Sequence, residues 1–322
     1  MMSLIQKILL RQIDRMDETF SVNYLPDLQR LRSSIGEIGL IQPVLLREKG
    51  GEYQIISGFR RISVMKELGN PEIEARVFKE KEEDDLQLFS LSLHENLTTR
   101  GFNTIEKAIA LDKLVYHFRI DPRVVTMNFL PLFSLEPNEK ILNTYLSLAR
   151  MEDELKSYVL REEVSRTNIR KFVSLDPDDR KTLLSLLPFL KLGENRLREM
   201  LTLFEEVSRK NRCTLREIIH RIEIETILSQ KELTPSQRTE KIKKVLIDLR
   251  YPRMRQMEEG FEKKRKELNL PSAVLIRHPP FFEGRGIGVE FQFETLEEYR
   301  SILSSLNLLM GKEAFQELIK NS

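Results

Sequence analysis

The residues best suited to bind a phosphate group are Gly58, Arg60 and Arg61. A β-rich run at Tyr53–Ile56 precedes Gly58 and apolar residues at helical spacing follow it, so Gly58 is predicted to stand where a strand passes into a helix. Exposed N–H groups at a helix N-terminus favour anions, and two guanidinium groups in the first turn add forked donors. The pattern therefore predicts a phosphate site, although a tight turn followed by two surface arginines would look the same.

A second polar group, Glu95 and Asn96, ends an acidic helix that is predicted from Glu82 to Glu95. The next helix opens at Asn103, whose spacing to Glu106 is that of a capping box. Carboxylate and amide oxygens are ligands that suit Mg²⁺. Glu95 and Asn96 are therefore predicted to hold a phosphate-bound Mg²⁺, with a solvated helix end as the alternative.

The elements that must position these residues are short. Leu25–Gly39 has apolar residues at helical spacing and closes on a glycine, which predicts a helix. Ile41–Arg47 and Tyr53–Ile56 flank Gly50-Gly51 and are predicted to be a hairpin or neighbouring strands. A further strand is predicted at Glu74–Phe78, so the phosphate-binding candidates belong to a small mixed domain.

The rest of the chain is predicted to be helical from Asp121 to about Leu249, because prolines divide it into short helical segments. A basic helix then runs to Leu268. Two strands are predicted around a Pro279-Pro280 break, and the last element is a helix at Leu296–Leu309. The two strands are placed at Ala273–Ile276 and within Gly286–Phe293.

Three motifs, in their order and spacing, resemble the N-terminal domain of the ParB family of DNA-partition proteins along roughly residues 20–115. They are Leu40–Arg47, Ile56–Ile62, and Glu95–Leu97 followed by Asn103, Ile105, Glu106 and Ala108. The resemblance implies that the second and third motifs cradle the triphosphate of CTP together with Mg²⁺. Carried over residue by residue, the nucleotide-binding residues are Ser57, Gly58, Arg60, Arg61 and Asn96, and the Mg²⁺ ligands are Glu95 and Asn96.

Three positions depart from the family pattern. Phe59 stands where the family usually has an acidic residue implicated in hydrolysis, so hydrolysis stays open and at most a weak CTPase is expected. Thr99 replaces a family arginine, and Arg100 follows one position later; one residue turns a helix by about 100°, so whether Arg100 faces the phosphates stays open. Phe20–Tyr24 replaces a Gln-Pro-Arg stretch, which leaves selectivity for cytosine open.

The region after the first domain resembles the helix-turn-helix unit of the same family. Its register makes Asn138–Leu148 the candidate recognition helix. Pro131 falls within the preceding helix and no small residue occupies the turn, so a degenerate unit is expected. The predicted DNA-binding residues are Asn138, Lys140, Asn143 and Thr144 for base edges or phosphates, and Arg166, Arg170 and Lys171 for the DNA backbone.

The C-terminal part, Arg253 to about Leu309, resembles the family's dimerisation domain. Two strands and two helices bury too little core alone, so a homodimer through this domain is expected. The basic run Lys263–Lys266 would either touch DNA or form a solvated helix face. The predicted fold is thus an α+β multidomain protein: a ParB-type α/β domain at 1–118, an all-α helix-turn-helix region at 119–249, and a small ββαα-like dimerisation module at 250–322.

Composition sets broad limits on the class of protein. The 322 residues include 52 basic and 50 acidic side chains, and the formal net charge of +2 gives no sign of nucleic-acid binding by itself. Cys213 is the only cysteine, which excludes an intramolecular disulfide and a cysteine-based metal site. The longest apolar runs fall short of the ~20 residues of a membrane span. A cytoplasmic, nucleoid-associated protein without a membrane partner is expected.

The resemblance implies a dimeric, CTP-switched DNA clamp of chromosome or plasmid partition, which binds double-stranded DNA and, in the family, a ParA-like ATPase. Two alternatives stay open. One is a transcriptional regulator or mobile-element factor that kept the fold and lost the nucleotide switch, as Phe59 and the weak helix-turn-helix would suggest. The other is a ParB-fold phosphotransferase or nuclease, for which Glu106 and His94 are the nearby candidate bases.

Overall fold

The computed structural model describes residues 5–80, 83–279, 282 and 286–320. The chain forms two compact units, Met1–Leu175 and Asp176–Ser322. The predicted domain boundaries at 118/119 and 249/250 stay predictions. Glu82 and Pro280, which entered the predicted elements, lie outside the described residues.

The first unit begins with a five-stranded mixed sheet. Its strands are β1 (Ile5–Leu9), β2 (Ile13–Asp14), β3 (Val44–Lys49), β4 (Glu52–Ser57) and β5 (Glu72–Phe78), in the order β1-β5-β3-β4-β2. Strands β1 and β5, and β3 and β4, pair antiparallel, whereas β3 pairs with β5 and β2 with β4 in parallel. Gly50 and Gly51 both have positive φ, 59° and 87°, which is the requirement of a tight hairpin turn. The predicted β3–β4 hairpin is confirmed.

Four helices lie between and after these strands in the sequence: α1 (Gln29–Ile38), α2 (Phe59–Glu67), α3 (Asp85–Thr99) and α4 (Thr104–Asp112). The predicted helix at Leu25–Gly39 starts four residues late, because Leu25 takes a left-handed φ of 40° and is followed by Pro26. Its end at Gly39, with φ 78°, is confirmed. Helix α3 is longer at its C-terminal end than predicted, so Glu95 and Asn96 lie in its last turns and not at its end.

The sheet and its helices enclose an aliphatic core. Val44 and Leu46 of β3, Ile55 of β4 and Ala75 of β5 are each at most 2% exposed. Ile62 on the inner face of α2 packs against them. Burial of a side chain of this size contributes about 1.5–3 kcal/mol, so this core fixes the junction at which β4 passes into α2.

The remainder of the first unit is helical. Helix α4 continues as a π-helical segment at Lys113–His117; then follow α5 (Pro122–Val124), a π-helical segment at Val125–Phe129 and a 3₁₀ turn at Pro131–Phe133. The last three helices of the unit are α6 (Glu139–Ala149), α7 (Asp153–Arg161) and α8 (Arg166–Ser174). Ser165 caps α8, as the predicted start at Ser165 requires.

The second unit is mostly helical. It contains α9 (Pro177–Leu186), α10 (Glu194–Asn211), α11 (Leu215–Ile219), α12 (Ile222–Ser229), α13 (Pro235–Arg250), α14 (Pro252–Glu267), α15 (Leu296–Leu309) and α16 (Glu313–Lys320). Strands β6 (Val274–Arg277) and β7 (Gly288–Phe291) pair antiparallel. The predicted α+β class, a small mixed sheet domain with a mostly helical remainder, is confirmed. No helix of the described ranges is long and apolar enough to cross a membrane.

Candidate nucleotide-binding site

A cavity of about 210 Å³ lies between the start of α2 and the end of α3. It brings together most of the side chains that the sequence predicts for phosphate and Mg²⁺. Among its lining residues are Gly58, Arg60, Arg61, Glu95, Asn96 and Arg100. Ser57 stands just behind this wall, where its hydroxyl donates to Glu95 Oε2 at 2.7 Å.

Gly58 is required by the backbone at this junction. Its φ of 105° is rarely adopted by other residues, and a Cβ there would lie 2.5 Å from Cγ1 of the buried Val44. Because the first helical hydrogen bond is donated by Ile62 N–H to the Gly58 carbonyl, the three N–H groups between them are left for a ligand or water. They belong to the positive end of the α2 dipole and adjoin the cavity.

One buried carboxylate holds two of the cavity's guanidinium groups. Glu106 is fully buried and accepts from Arg60 at 2.6 Å through Oε1 and from Arg100 at 2.7 Å through Oε2. The same Oε2 accepts from Asn103 N–H, while Asn103 Oδ1 accepts from Glu106 N–H, so the predicted capping box is confirmed. Burial and the nearby Arg100 cation lower the pKa of Arg60, against the opposing effect of Glu106.

Arg61 is held by a different carboxylate, that of Glu95. It donates to Glu95 Oε1 at 2.6 Å, and to the carbonyls of Gln42 and Pro43 at 3.1 and 3.2 Å. Glu95 therefore has both oxygens engaged, one by Arg61 and one by Ser57. An anion that binds Arg61 would therefore free only Oε1 of Glu95, because Ser57 still donates to Oε2.

The orientation of Arg100, open from the sequence, is settled by the end of α3. The helix stops at Thr99, and Arg100 leaves helical geometry with φ −143° and ψ −16°. Its side chain consequently turns back into the cavity, where Nε donates to Asn96 Oδ1 at 2.9 Å. The displaced arginine thus reaches the cavity although a regular helix would have rotated it away.

The segment Asp17–Tyr24, here called the strap, forms another wall. Phe20, Val22 and Asn23 line the cavity, and Asn23 Oδ1 accepts from Arg60 Nε at 2.9 Å. The Phe20 ring is 1% exposed and lies 5.5 Å from the Arg47 guanidinium carbon. The sequence placed these residues at a departure from the family pattern and assigned them no role.

Polar contacts hold the strap onto the sheet. Asp17 accepts from Lys49 at 2.9 Å and from Gln54 at 2.7 Å, and Lys113 donates to the carbonyls of Glu18 and Thr19. Burial raises the pKa of Asp17, but the hydrogen bonds outweigh it and hold the pKa of this carboxyl well below its usual range. The charged form of Asp17 therefore stabilises the fold.

Asp17→Asn is expected to destabilise the first unit at neutral pH, because the amide attracts Lys49 less. A depressed folded-state pKa gives stability that is complete above the unfolded-state value and is lost as the pH falls through the folded-state value. The difference between wild type and variant in urea-unfolding free energy should thus shrink as the pH falls below about 4. A constant difference from pH 7 to pH 2 would contradict this role, and the exposed Glu52→Gln serves as control.

Both predicted Mg²⁺ ligands already have hydrogen-bond partners in the protein. Asn96 Oδ1 accepts from Arg100, and Glu95 accepts from Ser57 and Arg61. No cluster of three histidine, cysteine or acidic side chains suited to a metal occurs within the described part of the chain. Mg²⁺ commonly uses one or two protein oxygens and takes the rest from phosphates and water, so the pair fits the ion only together with a phosphate ligand.

The predicted DNA-binding residues occupy α6 and α8. Asn138, Lys140 and Asn143 are exposed at the N-terminal half of α6, with Asn138 as its cap. Arg166 of α8 lies 4.0 Å from Glu136, just before α6, and Arg170 is exposed one turn further on. Lys171 is half-buried.

Thr144 is placed differently from its companions on α6. It is 6% exposed, and its hydroxyl donates to the Lys140 carbonyl one turn earlier at 2.8 Å. The position lies on the inner face of the helix together with Ile141 and Leu148. Thr144 therefore offers no donor to a groove in this structure.

The turn before α6, where the sequence predicted no small residue, includes Ser134. Its φ of 58° is left-handed, a conformation that the sequence pattern did not signal for serine. Pro131 begins the 3₁₀ turn after the preceding segment ends, where its missing N–H costs nothing. The degenerate helix-turn-helix stays a prediction.

Residues 4–97 match the ParB N-terminal domain family. Along this N-terminal region the chain is ParB-like. It is 27% identical over 157 residues to a nucleoid occlusion protein of Halalkalibacterium halodurans, covering 49% of this chain and 52% of the relative. It is 30% identical over 166 residues to a probable chromosome-partitioning protein ParB of Campylobacter jejuni, covering 52% and 56%. The ParB-like chain thus matches about half the length of these relatives.

Solved ParB structures also resemble the chain. C-terminally truncated ParB of Caulobacter crescentus complexed with CTP-gamma-S is 22% identical, covers 56% of this chain and 99% of that chain, and has a TM-score of 0.26. The same truncated protein complexed to the centromeric parS site is 22% identical, covers 62% and 97%, and has a TM-score of 0.36.

The cavity also has contacts that the sequence did not predict. Asn23 and Phe20 line it from the strap, and Glu106 holds Arg60 and Arg100 in addition to capping α4. Of these three residues, only Glu106 could be recognised from a sequence pattern, its capping-box spacing to Asn103. That pattern does not reveal its ion pairs with Arg60 and Arg100. His94, a candidate base, is exposed and is not among the lining residues.

Proposed function

We propose that this ParB-like chain is a DNA-binding protein of chromosome or plasmid partition, and that CTP with Mg²⁺ binds in its N-terminal pocket. The observation that carries the proposal is the meeting of Gly58, the start of α2 and three guanidinium groups in one cavity. Orphan N–H groups, a helix dipole and forked cationic donors together favour a polyphosphate. The choice of CTP rests on the three motifs that resemble the family.

The ion pairs describe how the residues would receive such a ligand. Arg60 and Arg100 share Glu106, so one carboxylate neutralises two cations and positive charge remains for an anion. Arg61 would exchange Glu95 for phosphate, which frees a carboxylate oxygen beside Asn96 for Mg²⁺. Mg²⁺ would supply charge neutralisation between the phosphates. Phosphate binding and metal binding are in this way favoured together.

Hydrolysis has less support than binding. Phe59 occupies the position of the family's acidic residue, and Glu106, a candidate base, is buried and paired with two arginines. A general base needs a free lone pair within reach of the proton it removes. We propose that the pocket acts as a binding switch, with at most weak CTPase activity.

The DNA-binding surface is proposed to be the exposed face of α6 together with the start of α8. Asn138, Lys140 and Asn143 can reach base edges or phosphates, and Arg166 and Arg170 can bind the backbone. Lys171 is at the margin of this surface and Thr144 is left out because it is buried. The two segments before and including α6 would then form a helix-turn-helix.

Dimerisation is proposed through the C-terminal hairpin and α15. Val289, Phe293 and Leu296 are 39%, 51% and 63% exposed, which leaves apolar surface on this small element. Lys264 pairs with Glu317 and Arg265 with Glu262, so the basic run is partly neutralised and favours a solvated helix face. A ParA-like ATPase partner and nucleoid association belong to the same proposal.

The test is a calorimetric titration of the full chain with each ribonucleoside triphosphate plus Mg²⁺. Selective CTP binding is expected, and Arg60→Ala should weaken it at least about tenfold, since a charge-assisted hydrogen bond contributes roughly 1.5–3 kcal/mol. Arg150→Ala is the matched control, because Arg150 is also ion-paired, to Asp112, but lies outside the lining residues.

Silence with all four nucleotides from folded protein would contradict the switch. DNA binding that is indifferent to nucleotide would then favour a transcriptional regulator or mobile-element factor with this fold. Turnover of a nucleotide or nucleic acid without DNA as a cofactor would instead favour a ParB-fold phosphotransferase or nuclease.

A further inference from the structure

The Arg100 guanidinium lies over an aromatic ring. Its carbon ζ lies 5.3 Å from the centroid of Phe102, within the range of a cation–π contact. In its own plane the same group donates to Asn96, Gly101 and Glu106. The hydrogen bonds and the ring contact together restrict the positions open to the guanidinium.

The backbone between the two residues is shaped for this contact. Gly101 has φ 70°, so the chain turns back immediately after Arg100 and brings the ring of Phe102 under the guanidinium. Asn103 then caps α4. Phe102 is therefore held between a left-handed glycine and a helix start, with little freedom to move away.

The Phe102 ring also contacts the turn before α6. Its centroid lies 5.4 Å from that of Phe133 in an edge-to-face arrangement, and Phe133 is 1% exposed. Phe133 ends the 3₁₀ turn that precedes Ser134 and the α6 cap, Asn138. The ring that restrains a pocket arginine is thus packed on the turn that leads into the proposed DNA-binding helix.

A second contact holds the same turn from α4. Lys107 Nζ donates to the Phe133 carbonyl at 2.9 Å, and Lys107 directly follows Glu106, which holds Arg60 and Arg100. Burial lowers the pKa of Lys107, as expected for an ammonium group packed against the protein interior. Adjacent residues of α4 therefore hold the pocket and the turn.

We infer that Phe102 is a positioning residue for the nucleotide pocket and that it links nucleotide affinity to DNA contact at the turn before α6. The inference rests on the proposed function. DNA that displaces Phe133 would move the Phe102 ring and change the orientation available to Arg100. Because linkage is reciprocal, a nucleotide on Arg100 would change DNA affinity by the same factor.

A purely space-filling role for Phe102 predicts something different. A leucine there would still pack against Phe133, but it has no π face to offer to a guanidinium. Phe102→Leu therefore separates the two roles while it keeps an apolar side chain and a folded protein. Tyr116→Leu is the matched control, since it removes another cation–π contact of the first unit, with Arg150 at 3.7 Å, away from the pocket.

The experiment measures the binding of CTP with Mg²⁺ to the full chain by calorimetry, with and without duplex DNA. The duplex is either parS or a scrambled sequence, whichever the protein binds more tightly. Wild type is expected to change its CTP affinity when DNA is added. Phe102→Leu is expected to weaken CTP binding by about two- to five-fold without DNA, the fold-change of a lost cation–π contact, and to reduce the effect of DNA. Tyr116→Leu should behave as wild type.

Lys107→Met gives a second, independent reading. It removes the bond to the Phe133 carbonyl but leaves every lining side chain in place, so CTP affinity without DNA should stay at the wild-type value while the effect of DNA falls. If Phe102→Leu has the CTP affinity and the DNA effect of wild type, the inference is overturned and the proposed function is not. CTP and DNA binding without mutual influence in wild type would do the same, whereas absence of CTP binding in wild type contradicts the proposed function itself.

Discussion

Gly58→Ala is expected to lower the unfolding free energy of the first unit by about 2–5 kcal/mol, because strain and overpacking add. The new Cβ would have to accept a φ of 105° and would lie 2.5 Å from Cγ1 of Val44, which is fully buried. Neither atom is the end of a flexible side chain, so the β4–α2 junction itself must shift. The N–H groups of the first α2 turn shift with it, and CTP affinity is expected to fall about tenfold or more, the loss of one charge-assisted hydrogen bond.

Gly36→Ala is the matched control for this substitution. Gly36 lies within α1, is exposed, and has no heavy atom within 4 Å of an added Cβ. Alanine in such a position stabilises a helix by up to about 1 kcal/mol. Urea unfolding followed by circular dichroism compares the two variants. A Gly58→Ala protein with wild-type stability and CTP affinity would contradict the cradle at the start of α2.

Local patterns were sufficient to predict the junctions that create the pocket. The strand-to-helix passage at Gly58, the end of α1 at Gly39 and the capping box of Asn103 and Glu106 depend on contacts within a few residues. Such short-range requirements leave a clear signature in residue type and spacing. The predicted phosphate-binding residues therefore meet in one cavity.

Long-range contacts left no such signature. Asp17 bonds to Gln54, 37 positions away, and Arg60 to Glu106, 46 positions away, so the strap and the shared carboxylate depend on the folded sheet. Arg100 illustrates the limit at a single residue, because its direction depends on where α3 ends and not on its position in the helix. The first two strands were likewise missed, since β1 and β2 are defined by their pairing with β5 and β4.

Glu106→Ala is expected to be the more damaging of two substitutions at the shared carboxylate. Removing one partner of a buried ion pair costs roughly 3–5 kcal/mol, and partial exposure of the guanidinium groups, 23% for each arginine side chain, places the expected loss near the lower end. Glu106→Gln should cost less, because one amide oxygen still accepts while the NH₂ group faces an arginine donor. Both losses are measured as free energies of unfolding.

Gln87→Ala separates the capping role of Glu106 from its ion pairs. Gln87 closes a capping box with Asp84 at the start of α3 and has no arginine partner in the bonds that hold this box. Its loss should cost about 0.5–1.5 kcal/mol, the net contribution of one hydrogen bond, so a larger loss in Glu106→Ala measures the hold on Arg60 and Arg100.

The ion-pair role of Glu106 also predicts a rescue. With the carboxylate gone, two unneutralised guanidinium groups face the cavity, and inorganic phosphate that binds only the folded state must stabilise it by mass action. Phosphate is therefore expected to raise the melting temperature of Glu106→Ala by more than that of wild type or Gln87→Ala. Equal shifts in all three proteins would mean that Arg60 and Arg100 do not depend on Glu106 for their charge balance, and the shared carboxylate would then be a helix cap alone.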